Sequence, residues 1–81
     1  MTDFQRKTLE LDFKAFAARN FERPADCKNI EQIQFYIREL CQKIEEYQKQ
    51  FDYAPDLAYT LLAQYNSKQN SLLYQDYVRS Y

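Results

Sequence analysis

Ile30, Ile33, Ile37, Leu40, Ile44, Tyr47 and Phe51 recur at alternating intervals of three and four residues. That spacing keeps every one of these side chains on one side of an α-helix. A strand would turn about half of them to each face, because its side chains alternate with period two. The pattern therefore demands a long helix with an apolar seam, and such a seam must lie against other helices. Asn29, followed by Gln32, offers a capping box at its start, with Asp26 a rival cap. Ala54 precedes Pro55, which disfavours helix there and ends the run. The expected helix covers residues 29–52, with Ile33, Ile37, Leu40 and Ile44 in the core. Phe35 and Tyr36 lie off the seam and widen the apolar surface, so a second contact is expected for this helix.

Glycine is absent from all 81 residues. Tight β-hairpins depend on Asn-Gly, Asp-Gly or Gly-X pairs and are not expected here. The remaining segments read as helices too. Thr2 and Gln5 fit a capping box that opens a helix over residues 3–20. Leu9, Phe13 and Phe16 form one apolar stripe, and Phe4, Leu11, Ala15 and Ala18 form a second, which together predict a wide apolar face. Asn20 can adopt the left-handed conformation that closes a helix. The stretch from Phe21 to Lys28 contains Pro24 and reads as a loop.

The last segment opens at Pro55, suited to a first helical position, with Asp56 complementing the helix dipole. Ala58, Leu61, Leu62 and Tyr65 share a face. The polar run over residues 66–71 leaves two readings open: one helix over 55–81, or a break and a final short helix. Leu72 follows Tyr65 by seven residues, so the period survives the run and continuity is favoured. The expected fold is all-α, an antiparallel three-helix arrangement in a single small domain with a long central helix. A chain this short buries only roughly 60–65 % of its unfolded surface, so association would help it.

Composition excludes several kinds of chemistry. There is no histidine, hence no Ser-His or Cys-His pair and no histidine-bound metal. Without glycine there is no phosphate-cradling loop. Glu45 and Glu46 are neighbours about 100° apart on a helix and cannot converge on one substrate. Asp52 and Asp56 flank the proline turn and read as caps. Cys27 precedes the second helix, whose N-terminus can lower a thiol pKa. It lacks a partner base, and it reads as a structural thiol, with Cys41 a small core or boundary residue. No enzyme activity, cofactor or metal is expected.

The two cysteines form no disulfide framework, which points to free thiols in a reducing, intracellular compartment, the cytoplasm first. Asp3, Glu10 and Asp12 interrupt the N-terminus, so neither a secretory signal nor a transit peptide is read there. Mean hydropathy is −0.77, and no apolar run approaches a membrane span. Six basic residues fall within the first 28, but five acids interrupt them and the net charge is −1. Nucleic-acid binding is not expected on that balance. The final 27 residues, by contrast, carry only Asp56, Lys68, Asp76 and Arg79 as charges. Five of the eight tyrosines lie there. Tyrosine is enriched and lysine and glutamate depleted in the cores of protein interfaces. The expectation is a protein-interaction module, an accessory subunit or adaptor bound to another protein chain, in a homodimer or a larger complex. The expected contacts are Tyr59, Tyr74, Tyr77 and Tyr81, extended by Phe35 and Tyr36. A small phage- or plasmid-type regulator that occupies a protein target is the alternative.

Overall fold

The computed structural model describes residues 2–79, with side chains described through Gln75. Helix α1 spans Asp3–Asn20, α2 spans Ile30–Phe51 and α3 spans Asp56–Arg79. No strand occurs among the described residues. The fold is all-α, three helices packed as a bundle, as the spacing predicts.

The helix ends follow the local chemistry. Thr2 Oγ1 accepts from Gln5 N–H at 3.2 Å, and Gln5 Oε1 accepts from Thr2 N–H at 3.0 Å, a complete capping box. Asn29 Oδ1 accepts from Gln32 N–H at 3.1 Å and caps α2. Its rival Asp26 pairs instead with Arg23 at 3.2 Å on the surface. Asn20 does not adopt the left-handed form. It stays helical, and its Nδ2 donates to the Phe16 carbonyl at 2.8 Å, closing α1 through the side chain. The left-handed residue is Asp52, at φ 54° and ψ 33°, where α2 ends. Pro55 stands just ahead of α3, and its carbonyl accepts from Ala58 N–H at 3.0 Å. The polar run over residues 66–71 does not interrupt α3.

Contacts along the helices establish their directions. Gln48 meets Tyr59, Tyr36 meets Tyr65, and Ile30 shares a depression with Leu72. Positions fall along α2 as they rise along α3, so the pair is antiparallel. Helix α1 also runs against α2: Leu9 and Phe51 line one depression, and Phe16 lies under Lys43 Nζ at 4.7 Å. The molecule is elongated, 53 × 20 × 16 Å, with a radius of gyration of 14.7 Å. A compact globule of this length would have about 12 Å.

An aromatic hub ties the three helices together. Phe21, in the loop after α1, packs edge-on against Phe16 at 5.5 Å, Tyr36 at 5.2 Å and Tyr65 at 6.1 Å. Below it Pro24 turns the chain back, with Arg23 and Pro24 carbonyls both accepting from Cys27 N–H. Cys27 is thereby buried. Among the seam residues Ile33, Leu40 and Tyr47 are fully enclosed, whereas Ile37 and Ile44 are only partly buried. Tyr36 takes the inward place the seam assigned to Ile37. Cys41, read as a core or boundary residue, is exposed.

Helix α1 buries one stripe rather than a wide face. Leu9 and Phe13 are buried and Phe16 partly so, while Phe4 and Leu11 are 79 % and 65 % exposed. The reason is angular. Two residues advance a helix by about 200°, so Leu9 and Leu11 point to opposite sides.

Candidate protein-interaction surface

Helix α1 and the loop after it cover one side of the α2–α3 hairpin, through Phe16, Phe21, Lys43, Tyr36 and Tyr65. The opposite side of the hairpin has no third helix over it. Ile37 and Ile44 stand on that flank, which is why two seam isoleucines are half-covered. Cys41 and Gln48 follow outward on α2. On α3 the same flank presents Tyr59, Ala63, Asn66, Asn70 and Leu73, all exposed. Their spacing, four, three, four and three, makes a second helical seam displaced from the buried one around Tyr65.

This flank of α3 carries no charge. Between Asp56 and Asp76 the one ionic residue is Lys68, and it lies on the other side of α3, in depressions shared with Lys28, Asn29 and the loop residues Glu22 and Arg23. Gln48 Nε2 donates to the Tyr59 hydroxyl and fixes that ring at the edge of the flank.

The residues expected to bind a partner therefore divide. Tyr59 and Tyr74 are exposed, at 42 % and 69 %, on the outer side of α3. Phe35 is 48 % exposed, but it lies about 120° around α2 from Cys41 and stacks against Tyr36. It does not join the α3 surface. Tyr36 is a correction: at 5 % exposure, packed on Phe21 and Tyr65, it belongs to the core of its own chain. The Tyr77 side chain and all of Tyr81 lie outside the described residues. Missed in the sequence were Leu73, Ala63, Asn66 and Asn70. Their spacing was visible, but small and polar residues do not register as a seam when only apolar residues are counted.

The thiols differ in environment. Cys27 Sγ lies 3.9 Å from the Asn29 carbonyl, and burial pushes its pKa up. Desolvation of the thiolate outweighs what the helix N-terminus could contribute, and the buried thiol fits the structural role read from the sequence. Among the described residues no group of three or more Cys, Asp or Glu is placed to hold a metal ion. No described helix is long and apolar enough to cross a membrane. Comparison with protein-family models, with curated proteins and with solved structures finds no match.

Proposed function

We propose that this chain is a small helical protein-interaction module, an accessory subunit or adaptor that docks another protein chain. The docking surface is the uncharged flank of α3 with the adjoining edge of α2. One observation carries this reading: an uncharged surface with Tyr59 and Leu73 exposed borders two core isoleucines left half-covered. A surface helix ordinarily keeps charge for solubility, and interface cores are depleted in it. A further chain over this flank would finish the burial of Ile37 and Ile44. Each such side chain contributes roughly 1.5–3 kcal/mol on complete burial, so part of that remains to be gained.

The test pairs association with stability. Leu73→Glu places a charge in the middle of the flank without touching the hub. Affinity capture from the native source and sedimentation of the purified chain are run for wild type and Leu73→Glu. A bound chain, identical or different, that Leu73→Glu loses while keeping its melting temperature supports the reading. A wild type that sediments as a monomer and captures no more than Leu73→Glu does rejects it.

A further inference from the structure

Helix α1 has two apolar faces, and only one of them enters the core. At about 100° per residue, Phe4, Leu11, Ala15 and Ala18 fall within an arc of about 60° on the side away from Leu9 and Phe13. All four are exposed, Phe4 and Leu11 over most of their surface. The stripe they form is roughly 21 Å long at ~1.5 Å per residue. It widens at the Phe4 end, where Phe51 of α2, also exposed, shares a depression with Phe4 and Thr8.

The charges around the stripe are sorted by sign. Lys7 and Lys14 stand along one edge and Arg19 along the other, all exposed. Asp3 and Glu10 lie a step farther round the helix, behind the lysines, and Asp12 lies behind Arg19. The arc of about 140° from Lys14 round to Arg19 thus holds three cations and no acid. The ion pairs among the described residues are Arg23–Asp26 and Lys43–Glu46, so none of these three cations is engaged in one.

We propose that this face of α1 lies on an anionic lipid surface, with Phe4 and Leu11 at the boundary of the acyl chains and Lys7, Lys14 and Arg19 at the headgroups. An interfacial helix buries an apolar stripe parallel to the bilayer plane while its cations meet anionic headgroups. The long stems of lysine and arginine run beside such a stripe and leave the charged ends at the headgroups. Shape favours lipid over a partner helix. A helix packed along the stripe needs two rows of knobs, and the row beside Phe4, Leu11 and Ala18 holds only Thr8 and Ala15. A bilayer demands no matching surface and accepts two protruding side chains. Duplex nucleic acid would meet the cations and leave the apolar stripe in water. The set is modest, so binding is reversible and no tighter than the ~10⁴ M⁻¹ of a single myristoyl chain.

This inference does not rest on the interaction-module reading, yet the two fit one molecule. Helix α1 covers one side of the α2–α3 hairpin, and its outer face points away from the hairpin. The bare flank with Tyr59 and Leu73 is on the opposite side. A chain lying on lipid through α1 turns that flank to solution, open to a protein.

The experiment is cosedimentation of the full chain with vesicles of equal parts phosphatidylcholine and phosphatidylglycerol, at lipid concentrations up to the millimolar range. The wild type should pellet with these vesicles, much less with pure phosphatidylcholine, and less as salt is raised. Leu11→Glu should lower the partition coefficient roughly tenfold or more, as should Lys7→Glu combined with Lys14→Glu. Leu73→Glu should bind lipid like the wild type. These positions are exposed, and unchanged melting curves show that the fold is intact. The chain has no tryptophan, so Leu11→Trp supplies a lone reporter. Its emission should shift to the blue on anionic vesicles and be quenched by lipid with brominated acyl chains, and Leu73→Trp should do neither. A wild type that stays in the supernatant, or that binds equally well after Leu11→Glu, overturns the lipid surface. So does a protein that the wild type captures and Leu11→Glu loses while vesicles bind neither, which assigns the stripe to a protein partner. Capture through the α3 flank is read by Leu73→Glu, so the interaction-module reading stands or falls separately.

Discussion

Tyr47 and Tyr65 are both buried, yet their hydroxyls have opposite fortunes. Tyr65 donates to the Glu22 carbonyl across more than forty residues of sequence, pinning the loop after α1 to α3. Tyr47 is 4 % exposed and its hydroxyl finds no partner. A hydrogen bond contributes about 1 kcal/mol net, and an unsatisfied buried group costs about 1–3 kcal/mol. Tyr65→Phe should therefore destabilise the fold by about 1–2 kcal/mol, while Tyr47→Phe should leave stability unchanged or raise it by about 1 kcal/mol. Urea titrations of the two variants beside wild type decide this. Burial also pushes the pKa of both phenols up, most strongly at Tyr65. The folded state thus holds its phenolic proton where the unfolded chain releases it, near pH 10. The stability from this difference is fully present below that pH and is lost as pH rises above it. Stability measured from pH 8 to 11 should decline at the alkaline end, with a smaller slope in Tyr65→Phe. An equal slope in that variant would assign the decline to other groups.

At the scale of the element, this chain ends its helices without glycine. Thr2 and Asn29 serve through side-chain oxygens, Asn20 through its amide, and Asp52 through a left-handed backbone. Aspartate tolerates that conformation better than most residues, whereas a β-branched side chain is an outlier there. Asp52→Val should cost about 1–2 kcal/mol, and Asp52→Gly should be neutral or stabilising. Thr2→Ala should cost about 1 kcal/mol and loosen the first turn of α1. Thermal melts of the three variants, with amide exchange over residues 3–8 for the last, test these values. The continuity of α3 follows from the same local logic. Asn, Ser, Lys and Gln are mediocre to good helix formers, and neither Gly nor Pro breaks the run over residues 66–71. Which side of each helix faces inward is a different matter. Phe4 and Leu11 share α1 with Leu9 and Phe13, and their composition alone does not distinguish the outer pair from the inner one.

For the whole molecule the decisive fact is that α1 covers one side of the hairpin only. Leu40 is fully enclosed and Ile37 is not. Leu40→Ala should cost about 2–5 kcal/mol, and Ile37→Ala less than half as much in the monomer. Comparable losses for the two would mean that the flank beside Ile37 is closed by the chain itself. The core is thin for an elongated molecule, so association should add visibly to stability. Added partner chain should raise the melting temperature of the wild type and leave that of Leu73→Glu unchanged. Nucleic acid should not bind this chain. A gel-shift titration at low salt should show no more affinity than an acidic control, and tight, steeply salt-dependent binding would contradict this.

The alternating spacing from Ile30 to Phe51, the caps at Thr2 and Asn29 and the stop before Pro55 determined three helices and their approximate bounds. These are local features: a helix needs only neighbours within a turn or two to declare its period and its ends. The tertiary structure decided that Tyr36 turns inward and Cys41 outward, that Ile37 and Ile44 sit half-covered, and that Tyr59 belongs to a surface from which Phe35 is separated. An apolar face spans a third of a helix or more, and its period does not say which flank the next helix will cover. Here that choice falls to the loop after α1, held by Phe21 in the aromatic hub and by the Tyr65–Glu22 hydrogen bond. Those contacts join residues far apart in sequence, and only the folded chain brings them together.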